Sequence, residues 1–209
     1  MNICEYGTGT ADTVLIQPVD RQDLKAMDNE IREIERMAAR DFCLIAVQTQ
    51  NWNNDLSPWE AEPVFGKDGF AGGAQGTLDE ILKLCSDRNK TYIIGGYSLA
   101  ALFSLWAVYQ TDVFAAAAAA SPSIWFPGFI DYMKDNEIKC GRVYLSLGDR
   151  EEKTKNPVMR TVGESIRSAY RILSDNKTAC VLEWNKGNHF NEPDLRTARA
   201  FADTLSYYA

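Results

Sequence analysis

Apolar residues in this chain recur in two rhythms that alternate from one end to the other. Val14–Gln17, Phe42–Val47, Tyr92–Ile94, Val113–Ala119, Val143–Leu147 and Cys180–Trp184 are short runs with little alternation, and they read as strands covered on both faces. Between them the apolar positions step by three and four, as on one face of a helix. Leu24, Met27, Ile31, Ile34 and Ala38 form the first such stripe, with Asp20 as its candidate N-cap. Thr77 and Glu80 read as a capping box ahead of Leu78, Ile81, Leu82 and Cys85. Asn156-Pro157 opens a helix with the stripe Val158, Val162, Ile166 and Tyr170. Asn191 and Pro193 open the last one, with Leu195, Ala198, Phe201 and Leu205. Such alternation predicts an α/β chain: a mostly parallel sheet of about six strands with helices on both faces. No repeat or linker interrupts it, so residues 1–209 read as one domain.

One connection breaks the rhythm. From Thr49 to Gly76 no periodicity stands out, yet glycines at 66, 69, 72, 73 and 76 accompany Trp52, Trp59, Phe65 and Phe70. Long connections inside compact domains are usually functional or disordered. The aromatics argue for a packed segment beside a ligand site, with an ordinary packed connector as the alternative.

Composition narrows the function. At 209 residues and 45% hydrophobic, the chain is long enough to bury roughly 70% of its unfolded surface without a staple. Lys plus Arg total 22 against 29 Asp plus Glu, a formal charge of −7, with no basic cluster. Nucleic acid and anionic membrane are therefore not expected partners. No basic start with an apolar stretch and cleavage site stands at the N-terminus, and the most apolar region, Tyr92 to Ala120, is interrupted by Gly95, Gly96, Ser98, Ser104, Gln110, Thr111 and Asp112. The five cysteines (Cys4, Cys43, Cys85, Cys140, Cys180) are scattered without CxxC pairing. A reduced, cytoplasmic protein without structural zinc is expected.

The informative string is Tyr92-Ile93-Ile94-Gly95-Gly96-Tyr97-Ser98-Leu99-Ala100-Ala101-Leu102-Phe103. An apolar strand runs into Gly-Gly-Tyr-Ser, and an apolar helix pattern starts at once. Small residues, Gly96 and Ala100, stand two before and two after the serine, as a sharp strand–turn–helix corner requires. That is the arrangement of a nucleophile elbow, G-x-S-x-A here, which lifts the hydroxyl clear of the sheet. The competing reading is that Ser98 only caps the helix.

A serine hydroxyl needs a base. The sole histidine, His189, follows the last predicted strand in a Gly/Asn loop, on the sheet edge where the serine turn lies and where open α/β sheets bind ligands. The third member would be a carboxylate after the preceding strand, in Gly148-Asp149-Arg150-Glu151-Glu152-Lys153. It would hold the imidazole tautomer. Asp149, Glu151 and Glu152 are all available. The chain order Ser, acid, His is that of α/β-hydrolases.

These residues resemble the esterase D-like group of α/β-hydrolases, which includes S-formylglutathione hydrolases, siderophore trilactone esterases, feruloyl esterases and mycolyltransferases. The similarity rests on Gly95-Gly96-Tyr97-Ser98-Leu99-Ala100, Ala120-Ser121-Pro122-Ser123-Ile124-Trp125-Phe126, Leu145-Ser146-Leu147-Gly148 with its acidic loop, Gly187-Asn188-His189-Phe190, and Asn54-Asp55-Leu56-Ser57-Pro58-Trp59. It implies an α/β-hydrolase fold without a large cap, Ser98 as nucleophile and His189 as base. It also implies Glu151 as the acid, ahead of Asp149 and then Glu152. The implied oxyanion donors are the backbone N–H groups of Leu99 and, since Pro18 has none, Val19. Three departures stand out. The family's leading hairpin is expected to be cut down or missing, the oxyanion loop lacks a His-Gly start, and Asn188 stands where a glycine often precedes the histidine.

The chemistry so implied is hydrolysis of a small-molecule carboxylic ester through an acyl-enzyme, with no metal or organic cofactor. Trp52, Trp59, Tyr97, Trp125 and Phe126 are candidate pocket walls. Because an imidazole must be neutral to act as base, activity is expected to fall below about pH 6–7. Acyl transfer to another acceptor and thioester hydrolysis share the same early steps. A tri-anionic ferric catecholate fits an acidic chain less well. A non-catalytic binding protein on the same fold is the reading from another class.

Overall fold

The computed structural model describes residues 2–38, 40–64 and 66–208. Its main sheet has seven strands in the order β1-β3-β2-β6-β7-β8-β9. These are β1 (Asn2–Gly7), β2 (Thr13–Val19), β3 (Cys43–Gln48), β6 (Thr91–Tyr97), β7 (Phe114–Ala120), β8 (Arg142–Gly148) and β9 (Ala179–Asn185). Only β1 runs antiparallel, against β3; the other pairs are parallel.

The sheet thus has one strand more than the apolar runs predict, and a leading strand stands where the resemblance implies a reduced or missing hairpin. β1 escapes hydrophobic patterning because it is an edge strand exposed along almost its whole length. An edge strand buries little, so selection for apolar residues is weak there.

One face of the sheet is covered by α3 (Ala74–Leu84), α4 (Leu99–Gln110), α5 (Phe129–Asp135) and α6 (Val162–Asp175). The other is covered by α1 (Asp23–Ala38) and α7 (Pro193–Tyr207). α4 is buried from Leu99 through Tyr109, as expected of a helix apolar all round. β7 is nearly all alanine, which lets layers approach closely beside it. A Cβ placed on Gly95 would lie 2.7 Å from both the Ala118 Cβ and the Phe201 ring.

Two helix starts, those of α3 and α6, differ from expectation, while Asp20 caps as expected. Asp20 accepts the N–H groups of Gln22 and Asp23 at 2.6 and 2.8 Å, capping the turn that leads into α1. Thr77 is not a cap: α3 begins three residues earlier at Ala74, where the Gly73 and Ala74 N–H groups bond to Asn54 and Ser57 carbonyls. Asn156 accepts the Val158 and Met159 N–H groups, but this opens a short 3-10 turn (Met159–Thr161), and α6 starts only at Val162. Its buried stripe is Val162, Ile166, Ala169 and Leu173, leaving Val158 and Tyr170 exposed. A strict step of four overshoots the 3.6-residue turn by about 40° each time, so the four-step stripe leaves the core face.

The connection after β3 holds α2 (Trp52–Leu56) and a two-stranded ribbon of β4 (Glu60–Ala61) and β5 (Phe70–Ala71). Phe65 lies outside the described residues. The rest packs as predicted: Trp59 meets Phe126, Phe129 and Tyr132, and Phe70 meets Trp125 and Phe126. All five thiols are free; Cys43 and Cys140 are buried and Cys4 is exposed. Among the described residues no helix is long and apolar enough to cross a membrane.

Candidate active site

The parallel register brings four strand ends to one rim. Tyr97 of β6 pairs with Ala120 of β7, Ala120 with Ser146 of β8, and Gly148 of β8 with Asn185 of β9. The residue after β6 is Ser98, held at φ 57°, ψ −117°. Positive φ on a non-glycine residue costs about 1–3 kcal/mol and persists only where the surroundings enforce it. Here the Ser98 N–H bonds to the Ala120 carbonyl, and its carbonyl accepts the N–H groups of Leu102 and Ser123. Gly96 is needed because a Cβ there would come within 2.8 Å of the Ala100 Cβ. Although Ser98 occupies the N-cap position of α4, its side chain makes no cap hydrogen bond. Its Oγ lies 3.0 Å from His189 Nε2 and 3.2 Å from Ser123 Oγ.

His189 is presented by a loop pinned on several sides. The Gly187 N–H donates to Asp149 Oδ1, the Arg150 N–H to the Gly187 carbonyl, and the Asn188 N–H to Asn191 Oδ1. The Tyr97 hydroxyl donates to the His189 carbonyl at 2.7 Å. The three candidate acids are therefore separated by geometry. Asp149 fastens the histidine loop, Glu152 pairs with Arg167 at 3.1 Å, and Glu151 Oε2 lies 2.7 Å from His189 Nδ1.

Glu151 Oε1 is just as fully engaged. It accepts from the Gly148 N–H at 2.7 Å, Ser121 Oγ at 2.9 Å and Arg196 Nη1 at 3.0 Å. Burial alone would raise the pKa of this carboxyl. The His189 hydrogen bond and charge, with the Gly148 and Ser121 donors, outweigh burial and hold it below its ordinary value. Arg196 is only 1% exposed; it also donates to the Tyr97 hydroxyl, Ser121 Oγ and the Lys186 carbonyl. Sequence reasoning missed Arg196, Ser121 and Ser123. For Arg196 a signal existed, since it precedes Ala200 and Thr204 at steps of four on a helix whose apolar face is broad.

Leu99 opens α4, so its N–H belongs to the first turn, where no carbonyl of the helix is in reach. Val19 does not match its expected role as second donor. Its carbonyl accepts the Thr49 N–H at 3.0 Å. In a parallel ladder the N–H and C=O of one residue face the same neighbour. The Val19 N–H thus faces β3, away from the Ser98 turn.

A cleft of about 360 Å³ opens beside His189, walled by Trp125, Met159, Phe190, Arg150 and Lys153. Phe190 is 85% exposed. Of the expected walls only Trp125 lines this cleft. Phe126 and Trp59 are packing residues, with Trp59 Nε1 donating to the Pro127 carbonyl. Trp52 lines a separate, larger hollow of about 1120 Å³ against the β4–β5 ribbon, to which Ser98, Glu151 and His189 contribute nothing. Tyr97 braces the histidine loop, and burial pushes its phenol up to about 12. Among the described residues no group of three or more His, Cys, Asp or Glu side chains could hold a metal.

No protein-family model matches the sequence, and no curated protein matches it. Solved structures do match. Siderophore hydrolase EstA from Aspergillus nidulans superposes with TM-score 0.63 at 16% identity, covering 100% of this chain and 95% of that one. EstB from the same organism gives 0.65 at 16%, covering 96% and 84%. The enterobactin esterase FES from Shigella flexneri gives 0.70 at 15%, covering 99% of this chain and 55% of that one, so the chain spans about half its length. At such identities the likeness carries the fold: a small α/β-hydrolase fold without a large cap.

Proposed function

We propose that this α/β-hydrolase chain is a serine hydrolase of carboxylic esters, acting through Ser98, His189 and Glu151. One observation carries the reading: the unbroken line from Ser98 Oγ to His189 Nε2 (3.0 Å) and from His189 Nδ1 to Glu151 Oε2 (2.7 Å). Glu151, accepting from Nδ1, fixes the tautomer that leaves Nε2 as the acceptor facing the serine. Ser98 Oγ attacks the ester carbonyl as His189 takes its proton. The Leu99 N–H faces the oxyanion, a contribution of about 3–4 kcal/mol for each such donor. His189 then protonates the leaving alcohol, and water releases the acid by the reverse path.

A fluorophosphonate probe tests this directly. Labelling at Ser98 that is lost in Ser98→Ala supports it, and an unlabelled wild-type protein favours a non-catalytic binder. Turnover of p-nitrophenyl acetate should drop by about 10⁵–10⁶ in Ser98→Ala or His189→Ala. Product analysis with added alcohols or thiols separates hydrolysis from acyl transfer, and a thioester panel covers the thioesterase variant.

The neighbours' names bring in a second reading, a siderophore ester. The acidity that argues against a polyanionic substrate is a property of the whole chain. At the cleft, Arg150 and Lys153 are exposed cations, and Glu151 beside them is already neutralised internally by Arg196. Hydrolysis of a catecholate ester at a rate above that of simple acetyl esters would select this reading.

A further inference from the structure

We propose that Ser123 is a further catalytic residue: its hydroxyl donates to Ser98 Oγ and stabilises the charge that gathers there as the nucleophile attacks. The inference rests on the hydrolase reading and adds a group outside the line of Ser98, His189 and Glu151. Ser123 stands in the loop after β7, 3% exposed, with its Oγ 3.2 Å from Ser98 Oγ.

Two observations separate this hydroxyl from ordinary packing. The first is that the fold does not use it. Backbone bonds fix the loop: the Ser123 N–H donates to the Ser98 carbonyl at 3.0 Å, and the Ser123 carbonyl accepts the Phe126 N–H at 3.0 Å. Among the described residues the hydroxyl itself has no partner except the nucleophile. The second observation is the proton inventory. Glu151 accepts the Nδ1 proton of His189, so Nε2 is an acceptor and takes the single hydroxyl proton of Ser98. Ser98 Oγ then has only lone pairs to offer, and the Ser123 O–H is the donor between the two hydroxyls. As attack begins, the Ser98 O–H bond breaks toward His189 Nε2 and an Oγ lone pair forms the bond to the carbonyl carbon. Ser123 keeps its own proton throughout. A hydrogen bond to a charged oxygen is shorter and about twice as strong as one to a neutral oxygen. The 3.2 Å separation exceeds the roughly 2.7–2.8 Å usual between hydroxyls, so this bond has room to shorten as charge builds. An interaction that strengthens on the way to the transition state raises kcat and leaves KM alone. The same donor serves again when Oγ leaves the acyl group in the second half of the reaction.

Steady-state kinetics of the full chain on p-nitrophenyl acetate test this. Ser123→Ala should lower kcat by about 10–100-fold, with kcat/KM falling equally. Ser123→Thr keeps the hydroxyl, and Ser123→Val has the shape of threonine without it. The threonine variant should therefore exceed the valine variant by about tenfold or more, and this pair carries the test should Ser123→Ala not fold. The acid limb of the kcat/KM profile should stay in place in Ser123→Ala, because Ser123 bonds to neither His189 nor Glu151. Four outcomes would overturn the proposal and leave the hydrolase reading standing. They are a kcat in Ser123→Ala within about twofold of wild type, a loss carried by KM alone, equal activity of the threonine and valine variants, and a shifted acid limb, which would mean a displaced relay. Wild-type protein with neither turnover nor fluorophosphonate labelling would remove the hydrolase reading, and this inference with it.

Discussion

Glu151 and Glu30 are both buried at the same end of the molecule, one on the rim between β8 and α7, the other on α1, and their surroundings treat them in opposite ways. Glu151 meets His189, the Gly148 N–H, Ser121 and Arg196, and its pKa is lowered despite burial. Glu30 is pushed well above the ordinary carboxylate value by burial, and the bond to Gln17 only partly opposes this. Burial therefore does not decide whether a carboxyl is charged; the number and orientation of donors around it does. A relay needs a carboxylate that stays ionised, and only the rim provides the donors for one.

The largest expected effect follows from that difference. Glu151→Gln keeps the shape but lets the amide donate where the carboxylate accepted, favouring the wrong imidazole tautomer. Esterase kcat should fall by about 10⁴, as measured on p-nitrophenyl acetate. A loss below tenfold would mean that the 2.7 Å contact to His189 is packing rather than part of the relay.

Next in size is Arg196→Met, which removes the buried cation and leaves Glu151 with a charge facing fewer donors. Breaking a buried pair from one side costs about 3–5 kcal/mol, read as a lowered urea midpoint. Arg196→Lys keeps the charge and should recover part of the loss. It cannot serve the Glu151, Tyr97, Ser121 and Lys186 contacts together, since those use two guanidinium nitrogens. A midpoint unchanged in Arg196→Met would show that Gly148, Ser121 and His189 suffice.

How far this contrast could be read from sequence depends on what each residue's signal was. The serine corner was legible because strand, small residues and helix follow one another within a dozen positions. His189 was legible because it is the sole histidine and follows a strand on the right edge. The choice among Asp149, Glu151 and Glu152 needed the resemblance, as adjacent acids on a loop differ in direction and not in composition. The direction of the Val19 N–H depends on which neighbour its peptide faces, and no residue type records that. β1 left no hydrophobic trace, and Glu30 looked like an ordinary helix-surface charge because sequence periodicity weights apolar positions; Arg196 was legible only through its step with Ala200 and Thr204. Glu30 does precede Ile31 and Ile34 on the stripe of α1, but a charged residue at the edge of a stripe is usually solvated.

The smallest effect is the pH dependence of stability, and it should have opposite signs for the two glutamates. Glu151 has a folded pKa below its usual value of 4.5. Its stabilising contribution is therefore complete above that value and is lost as pH falls through the lowered one. Glu30 has a folded pKa above 4.5, so the folded state binds more protons than the unfolded one over the interval between them. Its contribution is complete below 4.5 and is lost as pH rises through the raised value. In Glu30→Gln that loss disappears. The variant should match wild type near pH 4 and gain stability over it as pH rises, by about 1–3 kcal/mol if the orphaned carboxylate costs what such groups usually do. Urea denaturation of both proteins from pH 4 to pH 8 measures the difference directly. A gap that is constant across this range would place Glu30 in the same class as Glu151, a carboxylate whose charge the fold already accommodates.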